Sequence, residues 1–139
     1  MEPMAVFLSC PCGRMDQRAR PLAFALCCGR YIDHFDSLPA PDAESLMRSR
    51  YTAFVRERAD YLLSTWHPTT RPATLGFEPG ARWLGLEVRS RSMRDGEHAE
   101  VEFVARQRDA TGRASRLVER SRFLLEAGRW YYVDGDVGA

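Results

Sequence analysis

Near its N-terminus the sequence reads Cys10-Pro11-Cys12-Gly13, and fourteen residues separate this segment's second cysteine from the next pair, in Cys27-Cys28-Gly29. A structural zinc ion takes four thiolate or imidazole donors at the corners of a tetrahedron. Two close cysteine pairs, brought together by a loop, supply such donors, and the glycine after each pair lets the backbone turn tightly around the metal. We therefore predict a Zn²⁺ site with four ligands: Cys10, Cys12, Cys27 and Cys28.

The four cysteines also allow two other interpretations. The adjacent pair Cys27-Cys28 could be a redox switch, and all four could be buried thiols without a ligand. If zinc is bound, four thiolates complete its shell and leave no open position for a substrate. The predicted zinc is therefore structural, and it would stabilise a segment with few apolar residues of its own.

The composition excludes several classes of chemistry. All 20 basic residues are arginine, so a Schiff-base lysine and a phosphate-binding loop lysine are both absent from this chain. The 19 acidic residues leave a net charge of only +1, which does not favour a polyanionic partner. Nucleic acid is therefore not the expected partner.

The apolar residues are too dispersed for a membrane segment. No stretch approaches the roughly 20 apolar residues of a membrane span, and the apolar run at 5–8 is too short for a secretory signal. We expect a cytoplasmic protein. In that reducing compartment, cysteines serve as metal ligands or redox thiols more often than as structural disulfides.

The chain divides into two regions at a proline-rich joint. Residues 1–38 contain all four cysteines, and residues 39–139 carry the periodic patterns of a packed domain. Asp42 is placed to cap a helix of about four turns. A second helix is expected from about Asp60, and it must end by His67 because Pro68 disfavours helical geometry in the residue before it.

After the helices the hydrophobic period changes to two, which predicts strands. The apolar residues of the first two strands are expected to face one side of a sheet: Leu84, Leu86, Val88, Val101, Phe103 and Ala105. Two further strands are predicted at 115–126 and 129–134, joined by a turn at Ala127-Gly128. Helices followed by hairpin-connected strands predict an α+β fold with an antiparallel sheet wrapped over helices.

Charged residues dominate the other parity of these strands. The residues expected to face outward are Arg89, Arg91, Arg116, Arg120, Arg122, Glu100 and Glu102. They could form cross-strand ion pairs on a solvated face. Alternatively, the arginines could form a surface that recognises a carboxylate, a phosphate or an acidic partner.

The cysteine segments, with Arg30-Tyr31 after the second pair, resemble the SEC-C motif, a zinc-binding element also found at the C-terminus of the SecA translocation motor. The segments 43–51, 61–68 and 128–135 closely resemble the YchJ-like family of bacterial proteins. This resemblance implies a SEC-C zinc element followed by a nuclear-transport-factor-2-like cone, in which helices pack on a curved antiparallel sheet. The cysteine pairs lie further apart than in the usual motif, so residues 14–21 are expected to form an extra loop. The resemblance implies no particular reaction.

Cones of this kind often contain a cavity between helices and sheet, so inward polar residues are candidates for a site. Glu119 shares its parity with Leu117 and Phe123, and a desolvated glutamate can act as an acid or base. His67, at a helix end, could join it, with Arg50 as an anion anchor. Alternatively, Glu119 is paired with Arg50 or lies on an outward face, and His67 caps its helix.

Two functions stay open on these grounds. A protein-interaction or adaptor module would present the zinc element to a protein partner, with the cone domain providing bulk and self-association into a homodimer. A small-molecule-binding protein or acid–base enzyme would use the cone cavity. The first function predicts a cavity that is small or filled by aromatic rings, and the second predicts a concave pocket where Glu119, His67 and Arg50 converge.

Overall fold

The fold was analysed in a computed structural model, which describes residues 8–138. A 3₁₀ turn at Phe24–Leu26 precedes three helices and four strands. These elements are α1 Gly29–Ile32, α2 Ala43–Val55, α3 Ala59–Ser64, β1 Arg82–Met93, β2 His98–Arg108, β3 Ala114–Glu126 and β4 Arg129–Gly138. Short helices followed by an antiparallel sheet confirm the predicted α+β fold. The segment 1–7, which includes most of the apolar run considered above, lies outside the described residues.

Helix α2 begins where its capping residue predicts. The Asp42 carboxylate accepts a hydrogen bond of 2.7 Å from the Ser45 amide, and Glu44 lies in the first turn beside the positive end of the helix dipole. Helix α3 ends at Ser64, three residues before His67, with Thr65 as its C-terminal cap. Both predicted helices are confirmed. Among the described helices, none has the length and apolar character needed to cross a bilayer.

The four strands form one antiparallel meander in the order β1-β2-β3-β4. Residues of the inner face of β2 lie opposite inward residues of β3, with Phe103 paired to Glu119 and Val101 to Ser121. The main core lies between this face and the helices, where Leu46, Leu62 and Phe123 are buried. The inward parity predicted for β2 and for Glu119 is therefore confirmed.

Two irregularities in β1 correct the predicted parity of that strand. The pairing with β2 skips Leu84, so Trp83 packs against the core while Leu84 is 51% exposed. It then skips Arg89, so Arg91 pairs with the inward residue Val101. An extra residue in one strand reverses the alternation beyond it. The predictions that Leu84 faces inward and Arg91 outward are therefore wrong.

The outer face of the sheet carries ion pairs. Arg120 and Glu102 form a cross-strand pair at 3.2 Å, as predicted. Arg122 instead pairs with two aspartates of β4, at 2.6 Å from Asp134 and 2.8 Å from Asp136. Because these pairs are exposed, each contributes little to stability.

The N-terminal element packs directly on the helices. Residues 14–21 form a loop closed by a bridge between Met15 and Pro21, and the Asp16 carboxylate accepts hydrogen bonds from the amides of Arg18 and Arg20 at 2.8 and 3.0 Å. The predicted extra loop is confirmed. The four cysteines belong to the same buried cluster as Leu46 and Met47 of α2, so the element and the cone share one core.

Candidate metal centre and cone cavity

The four cysteine sulfurs converge on one point. All four Sγ atoms lie within 4.8 Å of one another, and those of Cys12 and Cys27 are 3.6 Å apart. Zinc–sulfur bonds of 2.3 Å in a tetrahedron place sulfurs about 3.8 Å apart. All four residues are buried and none is in a disulfide. The donor set therefore fits one tetrahedral metal ion.

The two glycines of the motif act in different ways. Gly13 has a φ of 76°, and its amide donates a hydrogen bond of 3.2 Å to the Cys10 carbonyl, which closes the tight turn around the first pair. Gly29 is needed for packing, because a Cβ atom there would lie 2.8 Å from the Phe24 carbonyl oxygen. The predicted tight turn holds for the first glycine only.

The thiols strongly influence one another's ionisation. Hydrogen bonds, first of all with Cys12, lower the pKa of Cys10, whereas the hydrogen bond with Cys10 raises the pKa of Cys28. Adjacent thiolates repel, so four of them cannot ionise together without compensation. A divalent cation at their centre would supply it.

Side chains of the helices hold the cysteine segments in place. Arg48 of α2 donates from Nη1 to the Cys12 carbonyl over 2.9 Å, and Arg30 donates from Nε to the Cys27 carbonyl over 3.0 Å. The Thr52 hydroxyl lies 3.7 Å from the Cys10 sulfur. These contacts fix the orientation of the cysteine segments and would hold the sulfurs in place around a metal ion.

A buried carboxylate joins the N-terminal element, α2 and the sheet. Glu44, only 6% exposed, lies 2.8 Å from Arg48 Nε and 3.8 Å from Arg14 Nη2, and it also contacts Arg91 Nη1. We call these four residues the Glu44 cluster. Arg91 lies on the helix-facing side of β1, but its side chain stays 70% exposed at this edge of the sheet, so the guanidinium can pair with Glu44 without being buried.

Between α2 and the inner face of the sheet lies a cavity of about 300 Å³. Seven aromatic residues contribute to its wall: Tyr51, Phe54, Trp66, Trp83, Phe103, Phe123 and Tyr132. The charged residues of the lining are Arg50 and Glu119. A mostly apolar concavity with a few polar groups is typical of small-molecule sites.

Arg50 enters this cavity from α2. It is 6% exposed, and its Nη1 donates to the Leu62 carbonyl over 2.8 Å and to the Thr65 hydroxyl over 2.7 Å. Its Cζ lies 4.6 Å from the Tyr132 ring centroid and 5.1 Å from that of Trp66. Burial lowers the pKa of Arg50 to about 10, so the guanidinium stays charged at neutral pH.

Glu119 faces the same cavity from β3. Its Oε2 accepts a hydrogen bond of 2.5 Å from the Ser121 hydroxyl and one of 3.3 Å from the Tyr132 hydroxyl. Its close neighbour is Gly135, where a Cβ atom would lie 2.5 Å from Oε2. Among the described residues the carboxylate has no ion pair within 4.0 Å, so the alternative that Arg50 neutralises it directly does not hold.

Sequence comparison agrees with this architecture. A sequence model of the family described as "YchJ, middle NTF2-like domain" matches residues 42–135, which span α2, α3 and nearly all of the sheet. This chain belongs to the YchJ-like family. Among YchJ-like relatives, a UPF0225 protein from a Polaromonas species is 68% identical over 127 residues, 91% of either chain. One from Bordetella parapertussis is 56% identical over 132 residues, covering 93% of this chain and 92% of the relative.

Solved structures extend the match to the N-terminal element. The solution structure of a SEC-C motif containing protein from Rhodopseudomonas palustris aligns with a TM-score of 0.77 at 30% identity, covering 95% of this chain and all of that one. The crystal structure of another such protein, from Psychrobacter arcticus, aligns with a TM-score of 0.76 at 29% identity, covering 94% of this chain and 83% of that one. The cysteine element and the cone therefore occur together in solved YchJ-like relatives.

In this YchJ-like chain, His67 lies away from the cavity lining. Its Nδ1 is 2.8 Å from the Thr69 hydroxyl, its Nε2 is 3.4 Å from Glu126, and its ring packs edge-on against Tyr131. The structure therefore brings together Arg50 and Glu119 but not His67. The hypothesis of an acid–base pair between His67 and Glu119 has no geometric support here.

Sequence reasoning missed two features of this YchJ-like site. Tyr132 touches both Arg50 and Glu119. Because it lies two residues after Trp130 in the same strand, the two side chains share a face, and this spacing could have indicated an inward position. Within the Glu44 cluster, the Glu44–Arg48 pair had a local signal, because the two residues are four positions apart on α2. The contact with Arg91 had none, because it depends on the bulge in β1.

Proposed function

We propose that this protein binds a small molecule in its cone cavity and holds a structural Zn²⁺ in its cysteine cluster. The observation that carries the proposal is the cavity of about 300 Å³, which keeps space beneath the sheet despite seven aromatic neighbours and contains a buried guanidinium. In an adaptor that binds no ligand, we would expect side chains to fill this space, because protein interiors are close-packed. Binding, rather than acid–base catalysis, is proposed because His67 does not reach the cavity.

The cavity can be tested by filling it. Leu117→Trp would place an indole in the lining, whereas Leu84→Trp makes the same change at an exposed position of β1. A panel of small aromatic and aliphatic compounds would be screened by ligand-observed NMR. We expect hits that bind the wild type and Leu84→Trp, and that lose binding in Leu117→Trp. Equal binding to all three proteins, or no hit at all, would contradict a ligand site here.

Zinc is proposed from the chemistry of the donors. Four buried sulfurs at tetrahedral spacing suit Zn²⁺, and a complete thiolate shell suits a structural role. Metal analysis should find close to one zinc per chain, and Cys12→Ser and Cys28→Ser should each reduce it. Less than about half an ion per chain in carefully prepared wild-type protein would contradict this assignment, given how tightly structural sites hold zinc. A cytoplasmic location is proposed with it, because in a reducing compartment cysteines serve as metal ligands more often than as structural disulfides.

A protein-interaction role is a second candidate, favoured by the surface of the N-terminal element. Four large apolar side chains are exposed in its described part: Leu8 at 57%, Met15 at 53%, Leu26 at 68% and Leu38 at 43%. Scattered exposed leucines are common, so the test must be specific. In a cross-linking experiment, Leu84→Ser should still form the cross-linked complexes of the wild type, with a protein partner or with a second copy of the chain. Leu26→Ser should no longer form them. If both variants keep the same partners, this role fails.

A further inference from the structure

The geometry points to the class of ligand: a small aromatic carboxylate that also carries a hydrogen-bond donor, with its carboxylate on Arg50 and its donor on Glu119. This inference rests on the proposed ligand-binding function and specifies it. Three features of the cavity support it: the free edge of Arg50, the free oxygen of Glu119 and the aromatic wall.

The free edge of Arg50 is the first feature. Its Nη1 is used by the Leu62 carbonyl and the Thr65 hydroxyl, but Nε and Nη2 have no hydrogen-bond partner among the described residues. The same edge of Arg58 shows what it can bind: Nε and Nη2 donate to the two oxygens of Asp60 at 3.1 and 3.2 Å. Arg50 therefore offers, inside the cavity, the edge that pairs with a carboxylate in two parallel hydrogen bonds.

This edge is held ready for a ligand. The rings of Tyr132 and Trp66 lie next to each other against the guanidinium, with their centroids 4.6 and 5.1 Å from Cζ. Nη1 is held by two hydrogen bonds, so the orientation of the group is restricted. The charge of Glu119 acts on Arg50 at longer range, but among the described residues no carboxylate lies within 4.0 Å of its guanidinium, so the cost of burying this cation is only partly offset. A ligand carboxylate would remove that cost. The indole nitrogen of Trp66 is a further buried donor that lacks a partner within the described part of the chain.

Glu119 determines what else the ligand must carry. Both hydrogen bonds from Ser121 and Tyr132 go to Oε2, and Oε1 has no partner among residues 8–138. A ligand with only a carboxylate would bring a second negative charge into a cavity that already contains Glu119. A hydroxyl or ammonium group on the ligand would instead donate to Oε1. Arg50 and Glu119 thus favour opposite hydrogen-bonding groups on the ligand, an acceptor at Arg50 and a donor at Glu119.

The wall and the size of the cavity define the body of the ligand. The rings of Phe103, Phe123 and Trp83 belong to the lining, and aromatic rings pack favourably edge to face. A volume of about 300 Å³ is at the lower end of the usual range for small-molecule sites. The ligand is therefore a single small ring system rather than an extended chain or a nucleotide.

The inference is tested with matched probes on the full-length, zinc-loaded protein. The acids are 4-hydroxybenzoate, 4-hydroxyphenylacetate, 3-(4-hydroxyphenyl)propanoate and tyrosine, which vary the distance between the two polar groups. Each is compared with its amide and with the analogue that lacks the hydroxyl, by calorimetry and by quenching of tryptophan fluorescence. We expect at least one acid to bind about tenfold more tightly than its amide and severalfold more tightly than its dehydroxy analogue.

Two variants test which side chain of the protein contacts which polar group of the ligand. Arg50→Lys keeps the charge but loses the paired donors, so it should abolish most of the preference for acid over amide. Glu119→Gln should abolish the preference for the hydroxyl, while the exposed-face control Glu102→Gln changes neither. If Arg50→Lys fails to fold, as judged by zinc content and circular dichroism, the Glu119→Gln result still decides the hydroxyl contact.

The possible outcomes separate this inference from the proposed function. If amides bind as tightly as acids, or if both preferences survive in Arg50→Lys and Glu119→Gln, the ligand class is wrong although the cavity still binds ligands. If neither acids nor neutral compounds bind, both the ligand class and the proposed function fail.

Discussion

Arg48 Nη1 lies 2.9 Å from the carbonyl oxygen of Cys12, so helix α2 contacts the cysteine cluster directly. Two residues further along the same helix, Arg50 enters the cone cavity. One helix thus borders both candidate sites. Because the N-terminal element and the cone also share a buried cluster, loss of the metal should affect the whole protein rather than a detachable finger.

Metal removal is the most direct test of that coupling. The free energy of metal binding is part of the free energy of folding when the site does not exist in the unfolded chain. A strong chelator should therefore lower the melting temperature by more than about 10 °C. Calorimetry measures this shift, and Cys28→Ser, which lacks the complete site, should show little further change with chelator. A cone that melts at the same temperature with and without metal would contradict the coupling.

Glu44→Gln tests the Glu44 cluster. The substitution removes the negative charge shared by Arg14, Arg48 and Arg91 while keeping the shape of the side chain. We expect a loss of about 1–3 kcal/mol in the free energy of unfolding, because the largely buried Arg48 loses its charged partner. The more exposed Arg14 and Arg91 can be solvated instead and should add little to this loss. The control is Glu87→Gln on the exposed part of β1, which should change stability by less than about 1 kcal/mol. Urea unfolding of the three proteins measures both values, and equal stabilities would show that the cluster is not important.

Gly29→Ala tests the close packing around the second cysteine pair. A Cβ atom at position 29 would lie 2.8 Å from both the ring and the carbonyl oxygen of Phe24, so the backbone beside Cys27 and Cys28 would have to move. We expect a loss of about 2 kcal/mol or more in stability, together with weaker zinc retention in a competition with a chromogenic chelator. Gly96→Ala is the matched control, because nothing lies within 4 Å of a Cβ atom there. If Gly29→Ala retains both its zinc and its stability, the backbone around the second cysteine pair can shift to accommodate the added methyl group without cost.

Stability should fall in alkali for a reason that can be assigned to Tyr61. Burial raises the pKa of Tyr61 to about 12, and its hydroxyl lies 2.7 Å from that of Ser49. Its ordinary pKa is 10. Between those pH values the unfolded chain loses this proton and the folded chain keeps it. The contribution of Tyr61 to stability is therefore full below pH 10 and is lost as pH rises toward 12.

Tyr61→Phe measures that contribution. The variant lacks the hydroxyl, so it should be less stable near neutral pH by about 1 kcal/mol, but its stability should decrease less steeply above pH 10. The expected difference in slope approaches about 1.4 kcal/mol per pH unit. Urea unfolding at several pH values gives the two curves. Parallel curves would mean that Tyr61 ionises equally in both states.

Local rules explain why much of this protein could be predicted before its structure was known. The start of α2 depends on Asp42 and its neighbour Ser45, three residues away. The inward position of Glu119 follows from strict alternation in β3, a strand whose pairing with β2 has no bulge. The cysteine cluster could be recognised because ligand type and spacing, rather than long-range packing, define a metal site.

The remaining features depend on contacts between distant parts of the chain. The two irregularities of β1 are decided by its pairing with β2. The first leaves Leu84 in solvent, and the second brings Arg91 to Glu44. The direction of the His67 ring depends on Thr69, Glu126 and Tyr131. The sequence alone therefore determined the four-cysteine cluster, the helices and the strand order, because these follow from residues close in the chain. Only the tertiary structure decided which charged groups share the cavity, because burial and charge pairing are properties of the assembled fold.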